Sequence, residues 1–167
     1  MIVRREVPAD IPAIADVHRQ AFDGEEPAEV GLVVTLRADP AWVPELSLVA
    51  EVQGVVVGHV CLTAGKVEDT AALALGPIGV LPSHQSTGVG SALMHAALGG
   101  ADALGSPLVA LLGHLDYYPR FGFVPADTLG IAPEEPSWVS HFQVRTLGTW
   151  RSAITGTFRY APPFLAL

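Results

Sequence analysis

The sequence predicts an α+β fold built around one mixed sheet. Residues 46–52 and 55–62 are rich in apolar and β-branched side chains and flank a two-residue turn that ends in glycine, which is typical of a β-hairpin. A mostly apolar run at 70–80 predicts a buried central strand, and an amphipathic helix follows at 88–98. Because a hairpin precedes a strand–helix–strand unit, we expect antiparallel and parallel pairs in the same sheet.

The first forty residues predict one strand and two helices. Residues 2–5 are extended in character, and Asp10 can cap a helix that has Pro12 in its first turn, where a missing N–H costs little. A turn at 23–27 separates this helix from a second one, which ends at Asp39 because a proline follows.

The central strand contains a proline, and the helix after it contains two adjacent glycines. Pro77 cannot donate a ladder hydrogen bond, so the Gly76-Pro77 step predicts a bulge in the strand. Gly99 and Gly100 follow the last apolar position of the helix and predict its end.

The last third of the chain predicts short elements. A helical turn is expected at 117–121, ahead of another strand. Further strands are predicted at 107–112, 138–147 and 154–160. Because no repeat or linker interrupts this order, we expect a single domain over residues 1–167.

Composition narrows the classes of function. Half of the 167 residues (50%) are hydrophobic, which is enough to bury a core without disulfides or metals. The net charge of −8 disfavours broad binding to nucleic-acid phosphates. Cys61 is the only cysteine, so no internal disulfide or multi-thiolate site can form, and we predict no metal.

The sequence also predicts a location in the cytoplasm. No apolar run is long enough to cross a bilayer, so no membrane partner is expected. The first six residues lack the apolar core that a signal peptide requires.

The loop after the central strand predicts an anion site. It is polar and leads into Gly88 and Gly90, which open the helix. The N–H groups of a first helical turn have no partners there, the helix dipole is positive, and glycine lets a ligand approach the backbone. Such a site can hold a pyrophosphate without a basic side chain. On the loop alone, a dinucleotide-binding fold and a helix start with no ligand stay open as alternatives.

Two motifs carry a resemblance to a known family. The loop has the pattern Gln85-x-x-Gly88-x-Gly90, and about thirty residues later the chain has Tyr118 followed by Pro-Arg-Phe-Gly-Phe. In this order and at this spacing, they resemble the acyl-CoA loop and the Tyr-x-x-x-Gly-Phe motif of the GNAT superfamily of N-acetyltransferases, and in particular its bacterial YhbS-like subgroup. The resemblance extends over nearly the whole chain and is sharpest at 73–125.

The resemblance implies the shape of the sheet and the position of acetyl-CoA. The sheet would be single, mixed and mostly antiparallel, flanked by helices, with a V-shaped splay between two parallel strands that receives the pantetheine arm. Many relatives have glycine where this chain has Ser86. The residues implied to bind acetyl-CoA are Ile78, Gly79, Val80, Gln85, Ser86, Thr87, Gly88, Val89, Gly90 and Ser91.

The resemblance also implies catalytic roles. Tyr118 matches the family's general acid, which protonates the departing CoA thiolate; a phenol with an unperturbed pKa of about 10 holds its proton at neutral pH. The base is less defined, because the central strand has no carboxylate. His114 lies in the subgroup's signature and is a candidate, as are Glu25, Glu26 and His59.

The implied function is acetyl transfer from acetyl-CoA to a primary amine of a small molecule or protein by direct attack. Two alternatives stay open: a non-catalytic acyl-CoA sensor, and an accessory protein that uses the fold only for protein contact. The missing strand carboxylate favours a sensor, whereas Tyr118 favours an enzyme. We expect a monomer or a homodimer.

Overall fold

The computed structural model describes residues 1–167. It has three α-helices and one nine-stranded sheet, which confirms the predicted α+β class. In chain order the elements are β1 (Ile2–Arg5), α1 (Ile11–Ala21), α2 (Ala28–Ala38), β2 (Trp42–Val52), β3 (Val55–Val67), β4 (Thr70–Val80), α3 (Val89–Ala103), β5 (Leu108–Leu112), β6 (Val124–Pro125), β7 (Ile131–Pro133), β8 (Phe142–Thr146) and β9 (Gly156–Arg159). None of the helices combines the length and the apolar character that a membrane span requires.

The sheet opens between its two central parallel strands. Its strand order is β1-β2-β3-β4-β5-β8-β6, and β9 joins the far end of β3 and pairs with β7. The neighbours in that row are antiparallel except β4 and β5, which pair only at Leu73 with Val109 and at Ala74 with Ala110. Since both strands continue past these pairs, they diverge and leave the V-shaped splay that was predicted.

Helices cover both faces of the sheet. Helix α3 packs on one face, where Leu93 and Met94 are fully buried against residues of β2 to β5. Helices α1 and α2 cover the other face, through Val17 of α1 and Leu36 of α2, which are also fully buried. The splay therefore lies between two helical layers, with α1 and α3 on opposite sides of β4.

The hairpin and the strand bulge form as predicted. Strands β2 and β3 meet at a tight turn in which Gln53 and Gly54 adopt left-handed φ values of 51° and 80°. Along β3 and β4, Val60 faces Ile78 but Leu62 faces Leu75, so two residues of β4 lie opposite one of β3. Those two residues are the predicted Gly76-Pro77 step, which bends β4 away from β5.

Helix α3 does not end at its glycine pair, and that prediction was wrong. The helix continues to Ala103, and Gly105, with φ of 79°, follows it in the left-handed conformation typical of a helix end. A Cβ at Gly100 would lie 2.7 Å from the Leu46 side chain, so this glycine lets α3 approach β2 closely.

In the last third of the chain, one predicted strand begins too early and another strand was not predicted. Residues 138–141 belong to a 3₁₀ turn, Pro136–His141, because Pro136 opens a turn and the Trp138 N–H donates to Glu135. The strand β7 was missed, since it has only three residues and pairs with β9 across 25 residues of chain, from Ile131 to Gly156.

Candidate active site

Three adjoining pockets follow the open end of β4. The loop pocket is lined by Val80, Gln85, Ser86, Gly88, Gly90, Ser91, Tyr117 and Arg120. The strand pocket is lined by Ala21, Phe22, Ile78, Gly79, Val80, Gln85, Gly90, Tyr117 and Tyr118. The apolar pocket is lined by Phe22, Glu29, Leu32, Leu75, Gly76, Pro77, Ile78, Leu112, Tyr118, Tyr160, Phe164 and Leu167. Because each pocket shares residues with the next, they form one row from the start of α3 into the splay.

The loop pocket lies at the N-terminus of α3 and has a volume of about 440 Å³. Gly88 precedes the helix with φ of 93°, a conformation that side chains disfavour, and Ser86 adopts φ of 59° although it is not glycine. This shape turns the chain so that first-turn residues of α3 line the pocket. The unpaired N–H groups of that turn make it suited to an anion.

Not every residue predicted for the loop presents its side chain to the pocket. The Val89 side chain is buried in the core against Gly58. Thr87 donates its hydroxyl hydrogen to the His84 carbonyl at 2.5 Å. Neither of these two residues lines the loop pocket.

Sequence analysis missed two residues of the loop pocket. Arg120 is the only cationic side chain that lines it, and its guanidinium lies 4.6 Å from the centre of the Tyr117 ring, with Nε donating to the Tyr117 carbonyl at 2.9 Å. The Tyr117 hydroxyl lies so close to Gly90 that a Cβ there would be 3.1 Å away. Arg120 belongs to the second motif and Tyr117 directly precedes it, and this was the available signal.

In the strand pocket, backbone groups of β4 face the splay. The N–H of Leu81 donates to Val57 of β3 at 2.9 Å. Because the hydrogen-bonding side alternates along a strand, Gly79 also faces β3, whereas Ile78 and Val80 direct their backbone groups to the open side. The Val80 carbonyl accepts from the Gln85 amide at 3.1 Å. The free groups are therefore those of Ile78 and the Val80 N–H.

Tyr118 lies at the junction of the strand pocket and the apolar pocket. Its ring packs directly on Gly113, where any side chain would clash with the ring. The N–H groups of Tyr117 and Tyr118 both point to the His114 carbonyl, at 3.3 and 3.4 Å. Burial, with a smaller effect of Tyr117, raises the pKa of Tyr118 to about 12, so the phenol is protonated at neutral pH.

The histidine predicted near Tyr118 does not join it in these pockets. The side chain of His114 is exposed and lines none of the three, while its carbonyl holds the turn that carries the two tyrosines. Glu25 and Glu26 lie in the exposed turn before α2, and Glu26 pairs with Arg19 at 3.1 Å. None of these groups lines the site where an acceptor would meet Tyr118.

A glutamate that was not predicted does line the apolar pocket. Glu29 lies in the first turn of α2, is partly exposed, and makes no hydrogen bond or ion pair within the protein. It is the only charged side chain of this pocket, whose volume is about 270 Å³. It is the only acidic side chain that lines any of the three pockets.

His59 belongs instead to a buried network behind the strand pocket. The Ser47 hydroxyl donates to Glu6 at 2.5 Å, so Ser47 accepts from Nε2 of His59 at 3.0 Å. Nδ1 of His59 then accepts from Nε2 of His18 at 2.8 Å. Both histidines are fully buried, and burial lowers the pKa of His59 and lowers that of His18 to about 3.

This network ties α1 and α2 to the sheet. Arg37 of α2 pairs with Glu6 at 2.8 Å, and His18 of α1 packs on Gly79 of β4, where a Cβ would lie 3.0 Å from Nδ1. Burial alone would raise the pKa of Glu6, but hydrogen bonds from His59, Arg37 and Ser47 lower it to about 2. The network therefore supports the wall of the strand pocket rather than lining it.

Comparison with protein families gives a match over about half of the chain. A family model described as an acetyltransferase (GNAT) domain matches residues 44–125. The chain is 32% identical over 163 residues to the uncharacterized N-acetyltransferase YjhQ of Escherichia coli, covering 93% of this chain and 89% of YjhQ. It is 31% identical over 168 residues to the uncharacterized N-acetyltransferase YhbS of the same organism, covering 98% of each.

Solved structures give the same result. The crystal structure of Escherichia coli YhbS in complex with CoA superposes with a TM-score of 0.90 at 29% identity, covering 98% of this chain and 91% of that one. A GNAT acetyltransferase of Brucella melitensis in complex with acetyl-CoA superposes with a TM-score of 0.78 at 30% identity, covering 98% and 97%. By sequence and by fold, the chain belongs to the GNAT family of acetyltransferases.

Proposed function

We propose that this protein transfers the acetyl group of acetyl-CoA to a primary amine by direct attack. The observation that carries the proposal is the row of three pockets with a protonated phenol, Tyr118, at the junction of the last two. A donor bound through the first two pockets would end at Tyr118, and an acceptor in the third would meet it there. Holding two reactants in line in this way removes much of the entropic cost of their encounter.

The loop and strand pockets are the proposed site for acetyl-CoA. The first turn of α3 and Arg120 would bind the pyrophosphate, and the free backbone groups of Ile78 and Val80 would bind the pantetheine arm. The CoA and acetyl-CoA complexes of YhbS and of the Brucella melitensis protein support this assignment. The proposed donor-binding residues are Ile78, Gly79, Val80, Gln85, Ser86, Thr87, Gly88, Val89, Gly90 and Ser91, together with Arg120.

The proposed chemical step needs only the amine, the thioester and Tyr118. The free amine attacks the thioester carbonyl carbon, the carbon–sulfur bond breaks, and its electron pair goes to sulfur. Tyr118 donates the proton that turns the thiolate into a neutral thiol. The nitrogen then releases its extra proton, which restores the phenol. His114 has no part in this scheme, because its side chain lies outside the pockets.

A thermal-shift titration tests the donor site. At about a hundredfold excess over Kd, acetyl-CoA is expected to add roughly 2.7 kcal/mol of stability, which raises the Tm by roughly 5–10 °C. Desulfo-CoA should give a similar rise and ATP should give none. No shift at millimolar acetyl-CoA would overturn the proposal. A shift without release of free CoA when amines are supplied would indicate the non-catalytic sensor instead.

Replacing Arg120 with glutamine is expected to raise the KM for acetyl-CoA about 3- to 10-fold at low salt, because one charge-assisted contact to phosphate is lost. The difference from the parent protein should shrink as salt is added, since screening weakens the contact that only the parent protein makes. Arg151→Gln changes the net charge equally at an exposed position outside the three pockets and serves as the control. Equal KM values for all three proteins would contradict the assignment.

A further inference from the structure

The acceptor class follows from the walls of the apolar pocket. Resting on the proposed function, we propose that the acceptor is a compact primary amine with one positive charge on an aromatic or branched aliphatic body. Glu29 binds its ammonium group before the amine loses a proton and reacts. Polyamines, aminoglycosides and protein chain ends are poor substrates.

The pocket is small and its walls are apolar. Nine of its twelve lining residues are hydrophobic, and its volume is about 270 Å³. This volume lies just below the roughly 300–1,000 Å³ that is typical of sites for drug-sized ligands, so a compact acceptor suits it. Phe22, which follows α1, and Phe164, which follows β9, are two of the aromatic residues that line it. A body of one ring with a short side chain fits this space.

Tyr160 adds to the apolar character of the wall. Its hydroxyl is buried without any hydrogen-bond partner in the protein, so the pocket gains no accessible polar group from it. Burial, with a smaller effect of Glu134, raises the pKa of Tyr160, so the residue adds no charge either. A polar acceptor would therefore find no hydrogen-bond donor or acceptor on this side.

Glu29 is the only charged side chain that lines the pocket. No lysine, arginine or histidine lines the pocket, and no cation of the protein pairs with the Glu29 carboxylate. Its charge is therefore available to a ligand ammonium group, with which it can form a charge-assisted hydrogen bond. Glu29 and Tyr118 line the same pocket, so an amine held by Glu29 shares that pocket with the phenol at the proposed reaction point.

No second charged side chain lines the pocket to pair with a further charge on the acceptor. A spermidine or an aminoglycoside would place further ammonium or hydroxyl groups against apolar walls, where each buried polar group without a partner reduces binding. The negative net charge of the whole protein attracts such cations to its surface but adds no second acidic side chain to this pocket.

The test compares amines at fixed acetyl-CoA. We expect 2-phenylethylamine to be acetylated with a kcat/KM at least about 100-fold above that of spermidine or kanamycin. N,N-dimethyl-2-phenylethylamine keeps the charge but forms no stable amide, and it should inhibit competitively at least about tenfold better than 2-phenylethanol, which has no charge. Preference for a polycationic acceptor would overturn the inference, as would equal inhibition by the charged and neutral compounds.

A variant tests the role of Glu29 directly. Glu29→Gln should raise the KM for 2-phenylethylamine about 10- to 100-fold, with the acetyl-CoA thermal shift unchanged. Glu25→Gln makes the same change in net charge in the exposed turn outside the pocket and should keep both values. An unchanged amine KM in Glu29→Gln would overturn the inference while the donor shift still supports acetyl transfer. Loss of that shift in the parent protein would instead overturn the proposed function.

Discussion

Tyr118→Phe is expected to lower kcat about 100- to 1000-fold, the usual contribution of a positioned general acid. The phenol lies where the strand pocket meets the apolar pocket, and burial raises its pKa to about 12. Without its proton, the CoA thiolate must leave as an anion, which is costly in a partly buried site. Steady-state kinetics with saturating acetyl-CoA and 2-phenylethylamine measure the loss.

The neighbouring tyrosine provides the matched control for this variant. Tyr117→Phe also removes one hydroxyl, but that hydroxyl lies over Gly90 at the loop pocket, so any change should fall on the KM for acetyl-CoA. The thermal shift with acetyl-CoA should persist in Tyr118→Phe, because donor binding does not need its hydroxyl. A kcat of Tyr118→Phe within threefold of the parent value would remove Tyr118 from the mechanism.

Acidification is expected to destabilise the protein because the two buried histidines take up protons only when the chain unfolds. Burial lowers the pKa of His18 to about 3, whereas a histidine in an unfolded chain titrates near about 6.5. Between these values the unfolded chain binds more protons than the folded one, so the free energy of unfolding falls as the pH falls. His18 alone accounts for about 2 kcal/mol between pH 7 and pH 5. The pKa of His59 is lowered in the same direction by burial and adds to the loss.

Glu6 extends the acid sensitivity to lower pH. Its pKa is about 2 in the folded protein because the hydrogen bonds from His59, Arg37 and Ser47 outweigh the opposing effect of burial. The stability that this carboxylate contributes is complete above the pKa of an unfolded glutamate, about 4.3, and is lost as the pH falls towards 2.

Urea unfolding at several pH values between 7 and 5 measures this dependence. His18→Gln keeps an N–H for the bond to His59 but does not titrate, so the slope should fall by about one proton. His141→Gln replaces an exposed histidine and should leave the slope unchanged. A free energy of unfolding that stays level from pH 7 to pH 5 in the parent protein would contradict this account.

The parts of the fold that local sequence determines were predicted well. The hairpin follows from two stretches rich in apolar and β-branched residues around a turn whose residues tolerate positive φ, and the bulge in β4 follows from Pro77. The loop before α3 was predictable because Gly88 and Gly90 lie within six residues of Gln85, so one short motif contains most of the pocket. Tyr118 could be identified for the same reason, because its motif spans only six residues.

Local sequence misled where a distant contact decides the conformation. Gly99 and Gly100 have the character of a helix end, but close packing of Gly100 on Leu46 keeps the helix intact beyond them. Strand β7 has too few residues to show a pattern and depends on its pairing with β9.

The sequence by itself determined the family, the anion loop and the candidate acid, because each rests on residues close together in the chain. Tertiary structure alone decided what surrounds them. It places Glu29 of α2 in the same pocket as Tyr118, which lies 89 positions later in the sequence. It also brings His18 within hydrogen-bond distance of His59, 41 positions later. Such contacts form because buried polar groups require hydrogen-bond partners and apolar faces must pack against other elements. The sequence pattern does not show which distant residue provides either.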